Sequence, residues 1–324
     1  MIDFTSTNIR LWSRLGSCGA FGQAALSLPE TKEKTVILTA DVCNFSGLDR
    51  FRASYPDRVY NVGIAEQNMI GIAAGMAREG FTPFATTYAA FATMRCADQI
   101  KLCMGYMNLP VKLVGLSAGF SVGILGPTHM SLEDVAFMRA LPNVVILSPA
   151  DCTATVKAAL AAAQLAAPVY LRLTGSMNNP IIYKEDFEFE VGKAIELRAG
   201  DDIAIIATGS MVLHALKAAE LLEQEGLFAE VLDMHTVTPL DMEAVEKACA
   251  KNLIVTVEEH SVIGGMGGAV AEALALKPSR PPHLLLGARG AYPHAGDYPF
   301  LLEYSGLTAP QIAGRIFETY KELF

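Results

Sequence analysis

The chain has 324 residues, 52% of them apolar and 18% charged, which is enough for a large core and excludes a disordered chain. At roughly 150 residues per domain, the length points to two domains. Lys and Arg number 25 against 34 Asp and Glu, a formal charge of -9 with no basic run, so neither nucleic acid nor an anionic membrane is expected as a partner.

In chain order, residues 1–10 lack a basic segment followed by an apolar run and a small-residue cleavage site. No secretory signal is expected, and the reading places the protein in the cytoplasm. β-rich runs at 35–40, 58–62, 81–86, 111–116, 143–148 and 169–173 read as strands, with helical segments such as 67–79 and 152–167 between them. Strands that are almost wholly apolar and alternate with helices imply a parallel sheet covered on both faces. The stretch 113–132 has no charge and is long enough for a bilayer. Gly115, Gly119, Gly123, Gly126 and Pro127 interrupt it, so a buried strand and an interior loop are expected, not a membrane span.

The polar segment 182–202 reads as a surface linker. Beyond it, strands at 203–207, 230–234, 253–257 and 283–286 alternate with helices at 214–225 and 241–250. The expected fold is therefore α/β, with two parallel-sheet domains at 1–185 and 186–324. The six cysteines (18, 43, 96, 103, 152 and 249) form no Cys-x-x-Cys pair, which favours reduced thiols over a disulfide framework or a zinc site.

Four places could carry chemistry. Gly115-Leu116-Ser117-Ala118-Gly119 follows a strand and fits a nucleophile elbow, which would make Ser117 a hydrolase nucleophile; the residues after it do not look helical, which favours a plain tight turn. Gly264-Gly265-Met266-Gly267-Gly268 precedes a helix and could hold an anion on backbone amides, but it departs from the dinucleotide fingerprint, leaving a packing turn as the preferred reading. Glu258, Glu259 and His260 end a strand; neighbours on a strand face opposite ways, so a structural or interface role is expected. Glu66 opens the segment 67–77, which is apolar around most of its circumference and should be a buried helix. Its carboxyl is either a solvent-facing helix-end charge or a group whose burial cost is offset by a cofactor nitrogen.

Asn61-Val62-Gly63-Ile64-Ala65-Glu66-Gln67-Asn68-Met69, Thr86-Thr87-Tyr88-Ala89-Ala90-Phe91 and Gly126-Pro127-Thr128-His129 resemble, in order and spacing, the second half of a transketolase. Pro142-Asn143, Ser148-Pro149-Ala150-Asp151, Ala207-Thr208-Gly209 and Glu258-Glu259-His260-Ser261 extend the resemblance towards the C-terminus. It implies a pyrimidine-binding domain followed by a C-terminal domain. The Gly-Asp-Gly segment that holds Mg²⁺ and diphosphate in the family is absent here. The chain thus resembles the C-terminal subunit of a split transketolase, whose partner would carry the metal site. The resemblance also implies thiamine diphosphate as cofactor, a small sugar as substrate, and a heterotetramer in which two copies of this chain meet through both of their domains.

By the same resemblance, Glu66 is the carboxyl that hydrogen-bonds the aminopyrimidine N1′ and starts the proton relay to the thiazolium. Phe91 stacks on the pyrimidine with Tyr88 beside it, Asp41 lies near the middle of the cofactor, and His129 contacts the donor. The departures concern the substrate. Gly123-Ile124-Leu125-Gly126 puts Leu125 where the family has an acid that reads a donor hydroxyl, Ser117 replaces a histidine, and Cys18 and Gly175 stand where two arginines grip sugar phosphate. The implied reaction is transfer of a two-carbon ketol unit from a ketose to an aldehyde, with an unphosphorylated, deoxygenated or carrier-linked sugar in view. The alternatives are a related carboligase using another keto donor, a Ser117 hydrolase and a non-catalytic subunit.

Overall fold

A computed structural model describes residues 2–324; Met1, part of the stretch read for a leader, lies outside them. The chain runs α1 (Ser6–Thr31), β1 (Thr35–Thr39), α2 (Asp49–Ser54), β2 (Val59–Asn61), α3 (Glu66–Arg78), β3 (Thr82–Tyr88), α4 (Ala89–Ala92), α5 (Ala97–Ile100), β4 (Lys112–Leu116), α6 (Asp134–Arg139), β5 (Val145–Leu147), α7 (Cys152–Gln164) and β6 (Val169–Arg172). It continues through β7 (Ile195–Arg198), β8 (Ile203–Ala207), α8 (Met211–Gln224), β9 (Ala229–Asp233), β10 (Thr236–Thr238), α9 (Met242–Ala248), β11 (Leu253–Ser261), α10 (Met266–Ala275), β12 (His283–Ala288), α11 (Tyr298–Tyr304) and α12 (Ala309–Leu323).

Two sheets organise the fold, one of order β10-β5-β6-β4-β3-β1-β2 and one of order β12-β11-β8-β9-β7. Each is parallel except for one edge pairing. β10, from the second half of the chain, joins the first sheet antiparallel to β5, with Thr236 opposite Leu147; β7 lies antiparallel to β9. The stretch read as a surface linker therefore contains a strand. Its polar residues suit an edge that is covered on one side only, and so they gave no strand signal.

The central strands β1, β4 and β8 are buried at every position, which explains their nearly continuous apolar runs; the buried Lys112 that opens β4 donates to the Leu165 and Ala167 carbonyls. Residues 113–132 form β4 and a loop, and no helix among the described residues is long and apolar enough to cross a membrane. One core packs α1, α2 and α7 on the first sheet through Phe21, Phe84 and Leu171. Another is continuous from Leu38 and Ile146 of the first sheet to Ile206 and Ile254 of the second, so apolar burial joins the two halves.

Helix α1 bends at Gly16 (φ +75°), where a side chain would meet the Ser176 carbonyl at 2.9 Å. The bend lies two residues before Cys18. Asp151 caps α7 by accepting from Ala154 N at 2.8 Å, and its other oxygen accepts from Ile182 N and Tyr183 N. Helix α3 buries Met69, Ile70, Ala73, Ala74 and Ala77, whereas Gly71 and Gly75 face open space. The expected wholly buried helix is thus buried on one side of the single chain, because Gln67, Asn68, Gly71, Gly75 and Arg78 line the other.

Candidate active site

In a parallel sheet, side chains that follow the strands gather at their carboxyl ends, and a crevice opens where neighbouring strands lead away in opposite directions. β1 lies between β2 and β3. Asp41 follows β1, Glu66 follows β2, Tyr88 ends β3 with Phe91 just beyond it, and Ser117 follows β4. These residues thus share one edge of one sheet.

Glu66 is the first residue of α3 and only 3% exposed. Its Oε1 accepts from Arg95 Nη1 at 2.7 Å, and the hydrogen bonds of the described residues leave Oε2 unengaged. The Arg95 guanidinium also lies over the Phe91 ring, 4.0 Å from its centroid, so one cation ties the carboxyl to the aromatic group. Gln67 Nε2 donates to the Arg95 carbonyl at 2.9 Å and steadies that link. The sequence reading missed Arg95; its one signal is its place four residues after Phe91, a helical turn away.

Tyr88, Phe91 and His129 meet edge to face, with centroids 6.2 Å apart for Tyr88–Phe91, 6.1 Å for Tyr88–His129 and 5.1 Å for Phe91–His129. Phe45, largely exposed, adds a fourth ring 6.2 Å from Tyr88. Asp41 adopts φ +61° and accepts from Asn61 Nδ2 at 2.8 Å, while Asn61 Oδ1 takes the amides of Asp41 and Gly63. Asn61 therefore fixes both Asp41 and the glycine turn that leads to Glu66.

Cys18 and Ser117 converge: Sγ and Oγ lie 3.9 Å apart. Burial pushes up the pKa values of the Cys18 thiol and the Tyr88 phenol, and both are neutral at pH 7. Ser117 has φ +51°, as at an elbow, but a loop follows instead of a helix, and its hydroxyl neighbours a thiol, not an imidazole. That arrangement does not make a hydrolase nucleophile. Gly175 has φ +82°, and a side chain there would run into the Asn179 amide at 2.6 Å. Leu125 and Ile124 sit on an exposed turn and do not join the aromatic cluster.

The remaining motif residues are structural. Glu258 accepts from Met266 N at 2.7 Å and Gly267 N at 2.8 Å, so the glycine-rich turn holds the chain's own carboxylate. Glu259 faces the other way, towards Phe120, Ser210 and Tyr298. His260 is buried, 3.8 Å from Asp134.

A buried carboxyl with one free oxygen beside an aromatic face suits a flat heterocycle with a ring nitrogen to be hydrogen-bonded. The donor set thus fits an aminopyrimidine. Among the described residues, no three His, Cys, Asp or Glu side chains converge as a metal site would require.

Residues 17–179 match the pyrimidine-binding domain of transketolase, and residues 192–312 match its C-terminal domain. The chain is 42% identical to the 6-deoxy-6-sulfo-D-fructose transketolase subunit SqwH of Clostridium sp., over 89% of each chain. It is 38% identical to an apulose-4-phosphate transketolase subunit of Phocaeicola vulgatus, over 80% of this chain and 83% of that one. A solved split-gene transketolase, in an inactive beta4 tetramer, aligns with TM-score 0.84 and 36% identity over 93% of this chain and 97% of that one.

Proposed function

The chain belongs to the transketolase family as a subunit of the split type, and we propose that its crevice holds the aminopyrimidine of thiamine diphosphate for ketol transfer from a ketose to an aldehyde. The cofactor, when bound, supplies the nucleophilic carbon and the electron sink. Glu66 hydrogen-bonds the pyrimidine N1′ and handles its proton, with Arg95 and the start of α3 fixing the carboxyl. Phe91 and Tyr88 form the aromatic wall, and Asp41, set by Asn61, faces the middle of the cofactor. His129, whose Nδ1 lies 3.0 Å from Thr128 Oγ1, orients the donor beside that wall. Mg²⁺ and the diphosphate belong to a partner subunit, and two copies of this chain meet in a heterotetramer; the tetrameric state of the split-gene relative supports self-association.

The observation that carries this reading is the convergence of Glu66, Phe91 and His129, from three separate segments, on one crevice at the sheet's carboxyl edge. The two relatives are named for a sulfo-sugar and for apulose 4-phosphate, so the family's ketose substrates differ in what their far ends carry. For this chain, the neutral Cys18, Ser117 and Leu125 favour a donor whose far end carries no phosphate.

The test is Glu66→Gln in the complex reconstituted with the partner. The variant keeps the shape but has no carboxyl proton to pass, so ketol transfer should fall at least ~100-fold, the scale of a lost acid–base group, while the fold persists. Near-normal turnover would reject the assignment.

A further inference from the structure

Residues 117–131 leave the end of β4 and return to a point beside it. Reciprocal backbone bonds close the base of this loop, Gly119 N to Ser131 O at 2.9 Å and Ser131 N to Gly119 O at 3.3 Å. The loop carries Ser117, Leu125 and His129, the residues assigned above to the substrate. Its anchors come from the second half of the chain. Glu259, 1% exposed on β11, accepts from Phe120 N at 2.5 Å through Oε1; its Oε2 accepts from Tyr298 Oη at 2.6 Å and from Ser210 Oγ. Gly119 has φ +67°, and a side chain there would collide with that carboxylate. Farther along, Gly296 N donates to Gly123 O at 3.2 Å, and Leu301 fills the space a side chain at 123 would need. Arg172 Nη2 donates to the carbonyls of Ser131 and Glu259, while Asp134 accepts from Arg172 Nε and Nη2 at 2.8 and 3.2 Å.

We propose that Glu259 is a positioning residue of the active site, which clamps the loop 117–131 to the C-terminal domain and thereby sets His129 and Leu125 against the donor. The inference rests on the functional reading above and gives the C-terminal domain a part in donor recognition. Three hydrogen bonds converge on one buried carboxylate, and two of the donors come from elements outside the loop, Ser210 and Tyr298. Such a node fixes geometry more than it adds stability, because taking the carboxylate out of water costs much of what its bonds return. The loop itself has no helix or strand beyond a single turn at 123–125 to hold its shape.

The test uses the full chain and the reconstituted complex. In Glu259→Ala, amide hydrogen exchange across 119–131 should quicken at least ~10-fold, the scale of one lost charge-assisted hydrogen bond, with β1 and β8 unchanged. Glu259→Gln should restore protection, since its carbonyl still accepts from Phe120 N and the two hydroxyls can turn to accept from its amide. Tyr298→Phe, which removes a single bond, should give the same pattern at smaller amplitude and guards against a misfolded Ala variant. In the complex, Glu259→Ala should raise the donor KM and lower kcat/KM while leaving thiamine diphosphate affinity as it was. Unchanged loop exchange, exchange that quickens equally in both domains, or a loosened loop with wild-type donor KM would each overturn the proposal. A wild-type complex without ketol transfer would count against the functional reading, while loop exchange would still decide the clamp.

Discussion

Cys18 and Ser117 are 99 positions apart in the chain, and their side chains lie 3.9 Å from one another. Taken singly, each is an ordinary small residue; side by side at the carboxyl edge of the sheet, they are two neutral groups where the family resemblance calls for an arginine and a histidine. Gly175 adds to this from a loop that touches α1 at Gly16, and the Asn179 amide closes the space a longer side chain would need. A charge-assisted hydrogen bond contributes about 1.5–3 kcal/mol, so the absence of several would weaken phosphate binding by orders of magnitude. The expected outcome is that the reconstituted enzyme shows kcat/KM for an unphosphorylated ketose and aldose pair at least equal to that for xylulose 5-phosphate with ribose 5-phosphate. A strong preference for the phosphorylated pair would show that the partner supplies the grip. At this scale the family resemblance pointed to Glu66, Tyr88, Phe91 and His129, which the fold brings to the same edge of the sheet. Arg95 and the Glu259 node escaped it because their meaning lies in contacts across 29 and 139 positions, which no local pattern encodes.

Elements with strong periodicity or nearly continuous apolar runs, such as α7, α8, β4 and β8, were legible in the sequence within a few residues of their ends, since burial imposes the pattern. Helix α1 was not, because Gly16, Gly19, Gly22 and Pro29 look like breakers; three of them serve a bend and a close approach to Ser176 and to Gly47. Helix α3 carries the opposite lesson. Gly71 and Gly75 lie one turn apart on its open side, where no described residue beyond the helix's own backbone would come within 4 Å of a Cβ, and each costs about 1 kcal/mol of helix stability relative to Ala. Two glycines one turn apart on a face that the described residues leave open would let another copy's helix approach closely between the exposed Asn68 and Arg78. Gly75→Leu should therefore leave the thermal midpoint of the dissociated chain unchanged or raised, yet weaken self-association at least ~10-fold by overpacking the contact. Sedimentation velocity across a dilution series reads this directly; unaltered association would place the contact elsewhere.

At the scale of the whole molecule, the two halves are not independent modules joined by a string. β10 completes the first sheet, one apolar core runs between the sheets, and Glu259 and Arg172 tie the loop over the crevice to β11. At the carboxyl ends of β8 and β11, Glu259 is bonded to Ser210, Tyr298 and the Phe120 amide. On the proposed reading this chain offers a cofactor the carboxyls of Glu66 and Asp41 and an aromatic wall, and no three His, Cys, Asp or Glu side chains converge among the described residues. Most of the charge on thiamine diphosphate lies on its diphosphate. Titration calorimetry of the isolated chain should therefore find weak binding, with little change on adding Mg²⁺ and no turnover; adding the partner should bring tight, Mg²⁺-dependent binding and activity together, because on the proposed reading each subunit would then supply one end of the cofactor site. Tight Mg²⁺-dependent binding to the chain alone would mean that the diphosphate end is held here after all, by groups that converge only once the ligand is present.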